Sequence, residues 1–197
     1  MNASFKKRLM AYLFDIILVI LIVSLISVFI PTNDNLTNLS KELIELQTTY
    51  ANKEITLGNY LSATSEVIKD IDQYQVIYYV LLTLVLIIHF VIWPVYHQGQ
   101  TIGKKKMHIR VVKDDLKEAT INDLLIRNMI INNIGYLLIQ LLILFILPSE
   151  SYYLTLSFLS FVQMIIVVVS IIMVIKRKDK HGIHDLITKT KVIEVEK

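Results

Sequence analysis

The chain has 197 residues, of which 54% are hydrophobic and only 19% charged. That much apolar surface exceeds what one soluble domain of this length can bury, and it comes in long runs, so lipid is part of the solvent. The absence of cysteine excludes disulfides and thiolate metal sites, and a formal net charge of +3 is too small to mark a nucleic-acid binder.

Lys6, Lys7 and Arg8 precede the first apolar run, Leu9–Ile30. The run is too long for a secretory signal, carries Asp15 and lacks a small-residue cleavage site, so it is expected to remain as a membrane helix. A carboxylate in hydrocarbon costs about 2.5–3.5 kcal/mol on insertion scales and normally faces a partner or water. Arg8 stands two turns before Asp15 on nearly the same face, about 10 Å away, so a water-bridged pair is expected.

Residues 31–75 are expected to form a helical insertion outside the membrane. Leu36, Leu39, Leu43 and Leu46 repeat at helical spacing, as do Leu61, Thr64, Ile68 and Ile71, with a break between two short helices at Gly58 and Asn59. Seven carboxylates against three lysines make this lobe acidic. It reads as a hairpin resting on the outer surface, or as a lobe that docks a partner or gathers cations. Asn35-Leu36-Thr37 and Asn38-Leu39-Ser40 fit the glycosylation pattern, which has meaning only where the outer face is glycosylated.

The second span, Val76–Tyr96, carries His89. The following Gly99-Gln100-Thr101-Ile102-Gly103-Lys104-Lys105 is one residue short of a phosphate-binding P-loop. It also lacks the hydroxyl after the lysine and follows a span rather than a buried strand. Lys104, Lys105 and Lys106 suit anionic lipid headgroups at the inner face, or serve only to set topology. Met107, Ile109 and Val111 alternate with His108, Arg110 and Val112, and Ile193 and Val195 alternate with Glu194 and Glu196. Pairing of these two segments would make a small β platform on one side of the membrane.

Arg127 opens the third span, Met129–Leu147, which holds Asn132, Asn133 and Gln140. The fourth, Tyr152–Ile175, holds Gln163, which shares Gln140's depth near mid-membrane and is expected to bond to it. No broken half-helices or internal repeats are apparent. His181, His184 and Asp185 are too clustered on a basic tail to argue for a metal. Asp185 is better read as a cap on a backbone turn, or as the partner of Arg110 or Arg127. Neither a cofactor nor a catalytic constellation is indicated, so the chain reads as non-enzymatic.

Seventeen of the twenty Lys and Arg residues lie in the N-terminal arm, residues 97–127 and the tail. The positive-inside bias assigns those segments to the cytoplasm. The expected architecture is an all-α integral membrane protein, a four-helix transmembrane bundle in the cell membrane with both termini cytoplasmic. Asp15, His89, Asn132 and Asn133 then share one level, about 10 Å below the inner interface, where they could bind a proton or a cation. Polar residues also serve as plain adhesive between helices. That reading is preferred for Asn132 and Asn133 and stands level with function for His89. Asp15 takes a functional or folding-essential reading, because an amide would be a cheaper adhesive.

Arg8, Asp15, the stretch Gly99–Lys104, Arg127, and Asp185 with Thr190 beyond it resemble the RDD family of mainly bacterial membrane proteins, named for one arginine and two aspartates. The resemblance places Arg8, Asp15 and Asp185 as that motif, with Gly99, Thr101, Gly103, Lys104 and Arg127 fitting the pattern. It covers the first span and everything from about Trp93, within a single domain of residues 1–197. It implies transport of unidentified ligands, some members being linked to cation/proton exchange. Two functions follow: a homo-oligomeric transporter of protons or monovalent cations centred on Asp15, or a non-transporting adaptor or regulator that holds another membrane protein or lipid.

Overall fold

The computed structural model describes residues 1–30 and 34–195. Pro31, where the insertion is expected to begin, and Glu196 of the alternating tail lie outside them. Helix α1 (Phe5–Ser27) starts where the Ser4 hydroxyl accepts the Lys7 N–H, and it buries only Ala11, Asp15, Val19 and Val23. Those four recur at every fourth position, so α1 offers the protein one narrow stripe. The rest of its apolar surface, including Ile17, Leu21 and Leu25, stays uncovered. Such a face is covered at low cost by lipid or by another apolar surface.

Helices α2 (Asp34–Ala51) and α3 (Leu57–Tyr74) form the expected hairpin. Their break falls at residues 52–56, not at Gly58 and Asn59, because the Thr56 hydroxyl accepts the Asn59 N–H and starts α3 there. Stacked rings of Tyr50 and Tyr60, 4.6 Å apart, close the hairpin. The insertion does more than rest on a surface. The Lys69 ammonium donates to the Leu147 carbonyl at 2.7 Å, and Ser65 bonds the Ser149 carbonyl, so α3 is fastened to the turn between the last two long helices.

Helix α4 (Val76–Ile87) widens into a π-helical segment, Ile88–Ile92, and continues as α5 (Trp93–Tyr96). The cause is Pro94, which has no N–H to give the Phe90 carbonyl four residues earlier. The Trp93 N–H instead reaches the Ile88 carbonyl, five residues back.

Three stretches are each long and apolar enough to cross a membrane: Phe5–Ser27, Val76–Tyr96 and Ser149–Lys176. A fourth exists only as a bent pair, α7 (Ile121–Ile131) and α8 (Ile134–Ile146), which meet at 74°. The expected straight third span is therefore corrected, and a broken helix does occur. Asn133 takes the left-handed conformation, φ 59°, which its short polar side chain tolerates better than most. Helix α8 alone spans about 20 Å, short of a hydrocarbon core of about 30 Å. The break frees the Ile130 carbonyl, and Gln163 on α9 (Ser149–Lys176) donates to it at 2.7 Å and to Asn133 Oδ1 at 2.9 Å. The expected Gln140–Gln163 bond is thus replaced by a clamp across the bend.

Strands β1 (Ile109–Lys113) and β2 (Thr190–Glu194) pair antiparallel, Val111 opposite Val192, as their alternation implies. Asn2 bridges to Ile193, and the Ala3 N–H donates to the Val192 carbonyl, so the first residues join the same platform. Two short helices, α6 (Ile102–Lys106) and α10 (Ile183–Thr188), connect the platform to the bundle.

Candidate functional site

Two buried carboxylates organise the platform end of the bundle. Asp15, 1% exposed, occupies the centre of α1's buried stripe. Its Oδ1 accepts the Gly103 N–H at 2.7 Å and faces His89 Nε2 at 2.8 Å, while Oδ2 accepts the Thr101 hydroxyl at 2.5 Å. Each partner is placed by a local cause. Gly99, at φ +80°, is where the chain turns after α5, and a Cβ there would strike the Val111 carbonyl. That turn delivers Thr101, which caps α6 by accepting the Lys104 N–H at 3.2 Å while donating its own proton to Asp15. His89 lies on the π segment, whose widened turn also leaves the Phe90 carbonyl free for the Asn128 amide at 2.8 Å. Asp15 therefore has three neighbours that donate or exchange protons, with His89 an acid–base group in its own right.

Asp185, fully buried, accepts from three directions. Arg127 bonds Oδ1, Arg8 Nη1 reaches Oδ2 at 3.1 Å, and the Gly182 N–H caps Oδ2 at 2.9 Å. Asp185 is thus both turn cap and ion-pair partner, of Arg127 but not of Arg110. Arg127 also donates to the Thr190 hydroxyl at 2.9 Å, tying β2 to α7. Burial alone would raise the Asp185 pKa, but the Arg127 and Arg8 charges and the Gly182 N–H outweigh it and hold the carboxyl well below the usual range. The expected water-bridged link of Arg8 to Asp15 is corrected: the guanidinium turns towards the tail.

His184 is buried against Ser170, whose hydroxyl lies 2.7 Å from Nδ1. Burial, then the Arg127 charge, pushes its pKa down to about 3, so its 3.4 Å approach to Asp185 is that of a neutral ring. Below its ordinary value of about 6.5 the unfolded chain takes up a proton at His184 that the folded chain refuses. Folding stability is therefore expected to fall as pH drops from 7 to 5, and His184→Gln to flatten that slope in thermal unfolding followed in detergent.

Of the other expected residues, Asn132 donates to Asn128 Oδ1 at 2.6 Å and lines a cavity that also touches Asp15, Lys104 and Arg127. Asn133 sits at the helix bend instead, apart from the Asp15 layer. Lys104 is half-buried, and its burial lowers the ammonium pKa to about 8 against the raising effect of Asp15.

A third buried carboxylate was not anticipated. Asp72, on α3 at the opposite end, accepts the hydroxyls of Tyr79 at 2.7 Å and Tyr152 at 2.6 Å, and the Gln140 amide at 3.2 Å. The available signal was its position, four residues before the apolar run at Val76 and seven before Tyr79.

A sequence model of the RDD family matches residues 2–189, which takes in both carboxylate sites and the insertion between α1 and α4. Comparisons with curated proteins and with solved structures give no match. With Asp15 and Asp185 buried and Arg8 half-buried at the junction of platform and bundle, and the family pattern covering nearly the whole chain, this multi-pass membrane protein belongs to the RDD family.

Proposed function

We propose that this protein moves protons across the cell membrane through the Asp15–His89 pair, with the platform and both termini facing the cytoplasm. The single observation that carries the reading is the 2.8 Å contact between a buried carboxylate and a buried imidazole within the apolar part of the chain. Such a pair can hold one proton on either member, and ionisable groups at that depth are expensive unless they work. The side assignment follows from the basic residues, which crowd the platform end. The groups that face the Asp15 oxygens are a hydroxyl donor, an N–H and an imidazole, not the set of oxygen acceptors that an alkali ion would need. The proton is therefore favoured over an alkali ion.

The test is proton flux into proteoliposomes under an imposed potential, with wild type and Asp15→Asn reconstituted at matched density. Flux should appear with the wild type and fall to the leak level with the amide. A folded wild type that gives no flux under proton, sodium or potassium gradients would overturn the reading.

One observation favours a second reading, an adaptor for another membrane protein. Helix α2 packs along α3 yet buries none of its residues, so the acidic side with Glu42 and Glu45 stays exposed. Cross-linking from α2 in intact membranes would test it.

A further inference from the structure

Between α1 and α9 lies a cavity of about 200 Å³ whose inner end is basic and whose walls are apolar. Its mouth is lined by Leu9 and Tyr12 of α1 and Ile171 of α9, and all three remain 38–40% exposed. The cavity thus opens sideways, onto the uncovered apolar surface, at the level of the platform.

Its charges do not balance from within. Arg8, Lys104 and Arg127 line it, and the carboxylates within reach are Asp15 and Asp185. Asp185 is shared by the two arginines, and Asp15 is bonded to His89, Thr101 and Gly103. Among the described residues Lys104 has no carboxylate within 4 Å, so three cations face two anions. Two lining residues also keep buried polar atoms without partners: Arg8 Nε, a donor, and Asn132 Oδ1, an acceptor on a residue 7% exposed. A buried polar atom left unpaired costs about 1–3 kcal/mol, so both call for a ligand.

We propose that this cavity binds the headgroup of an anionic phospholipid from the adjoining leaflet, one that carries a phosphate and a free hydroxyl, as phosphatidylglycerol does. The phosphate supplies the missing negative charge and accepts from Arg8 Nε and the Lys104 ammonium. The headgroup hydroxyl donates to Asn132 Oδ1. The acyl chains leave between Tyr12 and Ile171 into the bilayer. Bound this way, the lipid seals the gap between α1 and α9 and touches the residues that hold the platform in place. The inference is independent of the proton reading, since binding is measured without flux.

Native mass spectrometry of the delipidated full chain tests it, with phosphatidylglycerol and phosphatidylcholine of identical acyl chains supplied in equal amounts. One phosphatidylglycerol per chain should be retained in clear preference. Lys104→Gln should lower that preference about fivefold, one cationic contact being worth about 1 kcal/mol at such a surface. Ile171→Trp, which narrows the mouth from the lipid side without touching an ion pair, should lower retention of both lipids. Lys105→Gln removes an exposed lysine of the same run that does not line the cavity, and should leave the preference unchanged. Equal retention of the two lipids would overturn the proposal. Equal losses from Lys104→Gln and Lys105→Gln would overturn it too, by assigning the effect to a diffuse basic surface.

Discussion

Asp185→Asn is expected to cost about 3–5 kcal/mol of folding free energy, because it removes the one anion shared by the buried Arg127 and the half-buried Arg8. Arg127 and Arg8 both reach that carboxylate, and neither has another described ion pair. Left in place, they repel one another and lose their strongest acceptor. The asparagine keeps the size and can still cap Gly182, so the loss reports charge rather than shape. Reversible unfolding in mixed micelles, followed by circular dichroism, reads the difference directly. A deficit under about 1 kcal/mol would show that the guanidiniums find other partners. The pH dependence gives a second check. Asp185 is held below its ordinary pKa, so its stabilisation is complete above about pH 4 and fades as pH falls towards the folded value. The gap between wild type and variant should accordingly be flat from pH 5 to 8 and close in acid.

Gly103→Ala should be nearly as damaging, although it adds one methyl group. A Cβ at that position would meet the Ala11 backbone carbonyl and stand 2.8 Å from Asp15 Cγ. The first is backbone and the second a carboxyl pinned by Thr101, His89 and Gly103 itself, so α6 must lift from α1. Overpacking of this kind costs about 1–3 kcal/mol, and more where backbone has to shift. The displacement also withdraws the Gly103 N–H and the Thr101 hydroxyl from Asp15. Proton flux should therefore drop several-fold even though the carboxylate and His89 are untouched, and thermal unfolding should shift down in parallel. Ala11→Gly, added on the facing helix, leaves the carbonyl in place and should not rescue the variant; a rescue would place the clash elsewhere.

Much of this arrangement is legible in the amino-acid sequence, because membranes impose strong one-dimensional rules. Apolar run length gave the three stretches long enough to cross a membrane, and the alternation at Met107–Val112 and Ile193–Val195 gave the β1–β2 pair. Counting turns from the interface put Asp15 and His89 at one level, and they touch. What counting could not supply was direction around each helix axis. Asn133 has the right depth but lies at a bend, and Gln140 and Gln163 share a level yet face Asp72 and Ile130 respectively. Arg8 was assigned to Asp15 because two turns of one helix are visible in sequence, whereas its partner Asp185 is 177 positions away. The bend itself was hidden because Asn132 and Asn133 are as compatible with a polar patch on a straight helix as with a break. Asp72 was passed over as one of seven outer carboxylates, since nothing local announces that two tyrosines and a glutamine from three other helices converge on it.

The distance in sequence between Arg8 and Asp185 also sets an order of events. Helix α1 is made before the other spans and enters the membrane while the chain that will neutralise its arginine is still unmade. The contact can close only after the intervening chain has been made, and a loop that long carries one of the larger closure entropies in the molecule. Asp15 waits less, for α4 and α6, so its pocket can assemble while the tail is still emerging. Among the described elements the platform then closes last, with the stretch from α10 to β2 as its closing segment. Until it engages, α1 is held by lipid and by one face of α4 and α6, which makes the unclosed chain the species that quality-control proteases would meet.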